Sequence, residues 1–210
     1  ASDVYKRQVL VCVTMAFVSL RLIDSKFDNR RHLYSAIVIG CVSIFFSHTA
    51  ILVLGACGVA IALAAINQSS KSVWVQVAII GTAWIATFSL NYFLFLRGFG
   101  EGEEIQNYWS HAFLPPLTSF EAAKIWYDRL SSIYAYNGIS GSAFNLFAFL
   151  GLSSLATLSR PNSFLARFGM ALLLFSAIVS TLNIYPVSAR LSLYLNPAII
   201  LITILSLIHI

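Results

Sequence analysis

Charge is what this sequence has least of. Only 10% of its 210 residues are Asp, Glu, Lys or Arg, 59% are hydrophobic, and the mean hydropathy is +0.82. A soluble domain carries about a quarter charged residues to cover its water-facing surface, so this composition predicts a chain that meets lipid instead. Cysteine is scarce too. Cys12, Cys41 and Cys57 are odd in number, have no CxxC spacing and each sit in an apolar run. That excludes a disulfide framework and a zinc site, and leaves three small buried apolar side chains. GxSxG, HExxH, a Walker loop and paired intramembrane aspartates are all missing, so no motif announces catalysis. Internal repeats and low-complexity tracts are missing as well, and with them the inverted-repeat signature of many transporters. The net charge of +5 and pI near 9.3 could suggest nucleic acid. The basic residues stand singly between apolar runs, however, with no basic stripe interleaved with aromatics, which excludes that partner.

Both ends read as foreign. Ala1 to Gln8 (ASDVYKRQ) and Leu205 to Ile210 (LSLIHI) resemble translated sequencing adapters, one at each end. The expected organisation is therefore adapter at 1–8, a partial transmembrane domain over 9–204, and adapter at 205–210, with the natural protein extending in both directions.

What the sequence does have is long apolar runs. A membrane-crossing helix needs about 20 largely apolar residues at 1.5 Å each. Val9 to Ile23 is a short candidate. Leu33 to Ile66 is too long for one span and is interrupted by Ser47-His48-Thr49, which predicts two helices meeting near Ser47. Val73 to Leu96, Ser142 to Leu158, Ala166 to Ile184 and Leu191 to Ile204 supply four more. The expected fold is all-α and polytopic, with about seven spans.

The loops then predict an orientation. If the long segment from Arg97 to Gly141 faces outward, Arg21, Lys26, Arg30, Arg31, Lys71, Arg160 and Arg167 fall inside. Arg97, Lys124, Arg129 and Arg190 remain outside, an asymmetry that the positive-inside rule favours. The outer segment carries Glu101, Glu103 and Glu104 among glycines, and then NYWSHAFLPPLT. Pro115-Pro116 stops any helix, and Thr118 with Glu121 has the spacing of a capping box. Downstream, Phe120, Ala123, Trp126, Leu130, Ile133 and Tyr134 fall on one helical face, with Glu121, Lys124, Asp128 and Ser131 on the other. This predicts an amphipathic helix lying on the membrane or packed on the protein's own outer face.

Candidate site residues each carry a plainer reading beside the functional one. His48, at the predicted helix break, could hydrogen-bond a phosphate or sugar, or simply sit at the water interface. Tyr185 and Arg190 frame the turn YPVSARL, where an arginine can grip phosphate through two parallel N–H bonds and a tyrosine can add a donor. The plainer reading is an interfacial tyrosine and a snorkelling arginine. Trp109 could stack on a sugar face or an isoprenoid, or anchor an aromatic belt; His111 stands close by. Glu101, Glu103 and Glu104 could supply a base or hold a divalent metal, the one cofactor candidate, and otherwise are solvated loop acids. Asn145, Asn183 and Asn196 read as hydrogen-bonding partners between helices.

Three stretches, FFSHTAILVLGACGVAIAL (45–63), NYWSHAFLPPLTSFEAAKIWYDRL (107–130) and NIYPVSARLSLYLNPAIILI (183–202), together resemble bacterial GT-C membrane glycosyltransferases. The branch most similar is the protein mannosyltransferase and lipid A aminoarabinose transferase group. The resemblance implies transfer of a sugar from a polyprenyl-phosphate carrier to a cell-envelope acceptor on the outer side of the inner membrane. An acid in the first outer loop would act as base, and that loop would lie upstream of residue 9, so no residue here inherits the role. Tyr185 and Arg190 would face the carrier phosphate, with His48 and Trp109 lining the same cavity. The implied partners are the bilayer and a polyprenyl-phosphate-linked sugar. Rival readings are a transporter or lipid-carrier flippase, a non-catalytic scaffold, and an O-antigen-type polymerase or ligase; a flippase would be expected to bury paired charges in mid-span.

Overall fold

The structure, a computed structural model, describes residues 2–68, 70–97, 110–136, 164–187 and 194–197. Among the described residues it is all-helical and has no strand. The helices are α1 (Ser2–Asp24), α2 (Arg30–Phe46), α3 (Ala50–Ile66), α4 (Lys71–Asn91), α5 (Phe120–Tyr136) and α6 (Phe164–Thr181). A π-helical turn, Tyr92–Leu96, prolongs α4, and a 3₁₀ turn, Ser110–Ala112, precedes α5.

Short turns make α1 to α4 an up-and-down array. The chain leaves α1 through a Schellman stop, in which the Lys26 N–H bonds the Ile23 carbonyl at 2.8 Å and the Phe27 N–H bonds that of Leu22 at 3.1 Å. Asn29 then caps α2, its side-chain oxygen accepting from the Arg31 N–H at 2.9 Å. Between α2 and α3 only Ser47, His48 and Thr49 intervene, with Ser47 extended at φ −157°. The break therefore falls where the polar triplet interrupts the apolar run. The central helix is α3, which touches α1, α2, α4 and α6. It can do so because its buried face is largely small: Ala50, Ala56, Cys57, Ala60 and Ala65.

Close approaches elsewhere also rest on small residues. A Cβ on Gly40 of α2 would overlap the Trp84 indole of α4, whose Nε1–H donates to the Ala36 carbonyl at 3.2 Å. On α3, Gly55 lies against the Phe175 ring of α6. All three cysteines are free. Cys12 and Cys57 are fully buried, while Cys41 accepts a hydrogen bond from the Thr87 hydroxyl at 3.2 Å.

The expectation of about seven membrane spans is not met. Among the described residues two helices are long and apolar enough to cross a membrane: Lys71–Phe95, comprising α4 and most of its π turn, and Phe164–Thr181, which is α6. The reasons are length and charge. The turn at 47–49 cuts the run Leu33–Ile66, and α2 and α3 are 17 residues each, so each is roughly 25 Å long, short of a hydrocarbon core about 30 Å thick. Helix α1 has 23 residues but carries Lys6 and Arg7 near one end and Arg21 and Asp24 near the other. The candidates 142–158 and, apart from 194–197, 191–204 lie outside the described residues. So do the adapter-like residues 205–210, whereas residues 2–8 form the opening turns of α1.

The packing directions give the bundle two distinct ends. One cleft gathers Asp24 at the close of α1 and Lys26 just past it, Asn67 and Gln68 after α3, and Phe164 and Arg167 at the start of α6. Helices α1 and α3 therefore finish where α6 begins. Arg30, Arg31 and Lys71, at the starts of α2 and α4, share this basic end. At the opposite end lie the α2–α3 turn, the π turn after α4 and the close of α6.

Candidate functional site

Residues 110–136 fold over the close of α6 and so make this second end a cap end. The Val187 N–H bonds the Ala112 carbonyl at 3.1 Å, and the Leu114 N–H bonds the Ser180 hydroxyl at 3.0 Å. Leu114 and Ser180 are buried, so that bond satisfies two groups that would otherwise be costly to remove from water. Helix α5 is latched to the same segment. The Trp126 indole N–H donates to the Pro115 carbonyl at 2.7 Å, and the Arg129 guanidinium donates to the His111 carbonyl. Pro115 and Pro116 present carbonyls without competing N–H groups, which suits an extended strap read from both sides.

This latch changes two details expected of α5. The N-cap is Ser119, not Thr118: its hydroxyl accepts from the Ala122 N–H at 3.1 Å, and Thr118 lies one residue outside the helix. The packed face runs through Ala122, Trp126, Arg129 and Leu130, and Phe120 is 88% exposed. The helix is rotated by about one position from the pattern of largest side chains, because the Trp126–Pro115 bond fixes which side meets the strap.

His48 and Tyr185 both belong to the cap end. His48 is exposed between buried Ser47 and Thr49, whose hydroxyls pair at 2.9 Å. Tyr185 is half-buried, its ring edge-on to Tyr194 with centroids 6.3 Å apart and planes at 72°. Tyr194 is fully buried and donates to the Ser176 hydroxyl at 3.0 Å. Trp109 and Arg190 lie outside the described residues, as do Glu101, Glu103, Glu104 and Asn145. Among the described residues no three His, Cys, Asp or Glu side chains are grouped so as to hold a metal ion.

Asn183 has a different role from the interhelical one expected. It stands at φ 56° immediately past α6, with its N–H on the Ser180 carbonyl at 3.0 Å and the Ile184 N–H on Val179 at 2.9 Å. It is the left-handed residue of a second Schellman stop, a position that asparagine tolerates better than most residues. That stop turns the chain sharply enough to bring Tyr185 and Val187 back across the end of α6. The sequence reading missed Ser176 and Ser180, two small polar residues one turn apart in an apolar helix; this spacing was the available signal. No protein-family model, no curated protein and no solved structure matches the chain.

Proposed function

We propose that the chain resides in the plasma membrane, with α4 and α6 crossing it, and serves in transferring a sugar from a polyprenyl-phosphate carrier to a cell-envelope acceptor at the cap end. The membrane half rests on where the large apolar side chains stand. Only 17% of the most apolar stretch of Lys71–Phe95 is buried. Trp74, Val75, Ile79, Ile85, Leu90 and Phe93 all point away from the protein. Neighbouring helices add Val13 and Phe17, Val38 and Val42, Leu174 and Ile178. Monomeric soluble proteins rarely expose contiguous apolar patches beyond a few hundred Å², whereas lipid stabilises such a surface.

The carrier half is what the GT-C resemblance implies, and the single observation that supports it is the cap end itself. There a tyrosine hydroxyl and a histidine imidazole, both able to bond phosphate oxygens, share the end over which residues 110–118 are strapped. A flippase is disfavoured by the near absence of charge along α2, α3 and α6, whose Asp, Glu, Lys and Arg residues are Arg30 and Arg31 in the first turn of α2 and Arg167 in the first turn of α6.

The test is photolabelling of membranes containing the chain with a photoactivatable polyprenyl phosphate, followed by mapping of the adducts. Adducts are expected at 47–49, 110–118 or 184–187. Combining His48→Ala with Tyr185→Phe should lower labelling about tenfold, since a hydrogen bond to a charged group contributes about 1.5–3 kcal/mol. Equal labelling by uncharged polyprenol, or adducts confined to the basic end, would count against the carrier reading.

A further inference from the structure

The basic end holds a cleft of about 540 Å³ between α1, α3 and α6. Its composition changes with depth. The floor is apolar, formed by Leu20 and Ile23 of α1, Phe164 of α6, and Ala60 and Ala64 of α3. The two alanines, one turn apart, leave the gap because neither reaches across it. The rim is polar: Lys26 and Asp24 from the end of α1, Asn67 and Gln68 after α3, and Arg167 from α6. Two cations, one carboxylate and two amides surround a mouth that opens onto an apolar floor. That gradient matches an anionic amphiphile, whose charged end needs donors and whose tail needs a dry groove.

The backbone adds an independent sign. Lys26 stands at φ 50° and Phe27 at φ 66°, consecutive non-glycine residues in the left-handed region. Phe27 is 2% exposed and anchors the turn. Glycine would hold the Lys26 position without strain; the lysine stands there against its conformational preference, and its side chain lines the cleft. Arg30, Arg31 and Lys71 stand at the same end but do not line the cleft.

We infer that this cleft seats an anionic phospholipid from the leaflet at the basic end. Lys26 and Arg167 bracket the headgroup phosphate, Asn67 and Gln68 donate to its remaining oxygens, and Asp24 accepts from headgroup hydroxyls. An acyl chain enters the groove floored by Ala60 and Ala64. This inference rests on the membrane reading above but not on carrier binding at the cap end.

The experiment is native mass spectrometry of the whole chain, purified in detergent and offered phosphatidylglycerol and phosphatidylcholine in equal amounts. The expected preference for phosphatidylglycerol is about tenfold or more, as two basic side chains near a membrane surface would give. The pair Lys26→Gln and Arg167→Gln should abolish it, and Arg30→Gln with Arg31→Gln should leave it within about twofold. Ala64→Leu, which keeps both charges and fills the floor, should lower retention of both lipids, so the inference does not hang on the charge variant folding. Selectivity surviving the Lys26 and Arg167 changes, unaltered retention in Ala64→Leu, or displacement by millimolar glycerol phosphate would each overturn it, the last in favour of a soluble phosphate ligand. Recovery of the chain in the supernatant of carbonate-washed membranes would overturn the membrane reading and this inference together. Absence of selectivity in the unmodified, membrane-retained chain overturns the inference alone.

Discussion

Gly40 and Gly81 set two glycines of apolar helices in opposite circumstances. At Gly40 the Trp84 indole occupies the volume a Cβ would need, whereas at Gly81 nothing lies within 4 Å of that position. Replacing Gly81 by Ala adds helix propensity without a steric cost, and should stabilise the bundle by about 0.5–1 kcal/mol. At Gly40 the same propensity gain is outweighed, because overpacking costs about 1–3 kcal/mol and the displaced indole would lose its bond to the Ala36 carbonyl. Gly40→Val should therefore lower the midpoint of thermal unfolding in detergent and Gly81→Ala should raise it. A rise for both would mean that α2 and α4 do not approach as described. Neither outcome was legible in the sequence, where both glycines interrupt equally apolar runs. Asn183 was misread for a related reason: its φ of 56° depends on where α6 stops, and an asparagine beside an apolar helix resembles an interhelical partner until that stop is known.

At the scale of elements, helix positions and the break between α2 and α3 could be read, and packed faces could not. Ser47-His48-Thr49 interrupts an apolar run with three polar side chains, and α2 and α3 meet there. The Pro115-Pro116 pair likewise placed the strap before α5. What periodicity did not carry was which face of α5 packs, because that face carries two bonds to the strap, Trp126 to Pro115 and Arg129 to His111. Nor did apolar content carry span number, since the turn at 47–49 leaves α2 and α3 at 17 residues each, too short to cross. The latch suggests its own test. Trp126→Ala removes the indole donor and the ring together and should free α5 from the strap, so that a protease cuts within 110–136 several-fold faster while α1 to α4 stay resistant. Trp126→Phe keeps most of the ring without the donor, which contributes about 1 kcal/mol, and should give an intermediate rate. Equal rates for both variants and the unmodified chain would show that α5 is held by something other than this latch.

For the molecule as a whole, the distribution of charge between the two ends carries the strongest consequence. Arg21, Lys26, Arg30, Arg31, Lys71 and Arg167 gather at the basic end with Asp24 and Asp28, and the cap end has Lys6 and Arg7 of the adapter-like opening of α1 and Arg97, Lys124 and Arg129 with Glu121 and Asp128. Lys and Arg near helix ends resist translocation while acids contribute little, so on the membrane reading proposed above, with the adapter-like Lys6 and Arg7 set aside, the excess of cations would set the basic end in the cytoplasm. The residues that sequence reasoning assigned to one side of the membrane are, where described, the ones that packing gathers at one end. That agreement comes from the helix order alone, because alternating directions fix which termini meet. The prediction is directional. In a background with Cys12, Cys41 and Cys57 replaced by Ala, Thr118→Cys places a thiol at the exposed cap end and Ser72→Cys places one at the exposed basic end. A membrane-impermeant maleimide should label the first in intact cells and the second only after permeabilisation. The reverse pattern would invert the orientation and put the cap end, with His48 and Tyr185, in the cytoplasm, out of reach of an outward-facing acceptor. Labelling of both thiols in intact cells would place both ends on one side, and α4 and α6 could then not cross, because each runs from the basic end to the cap end.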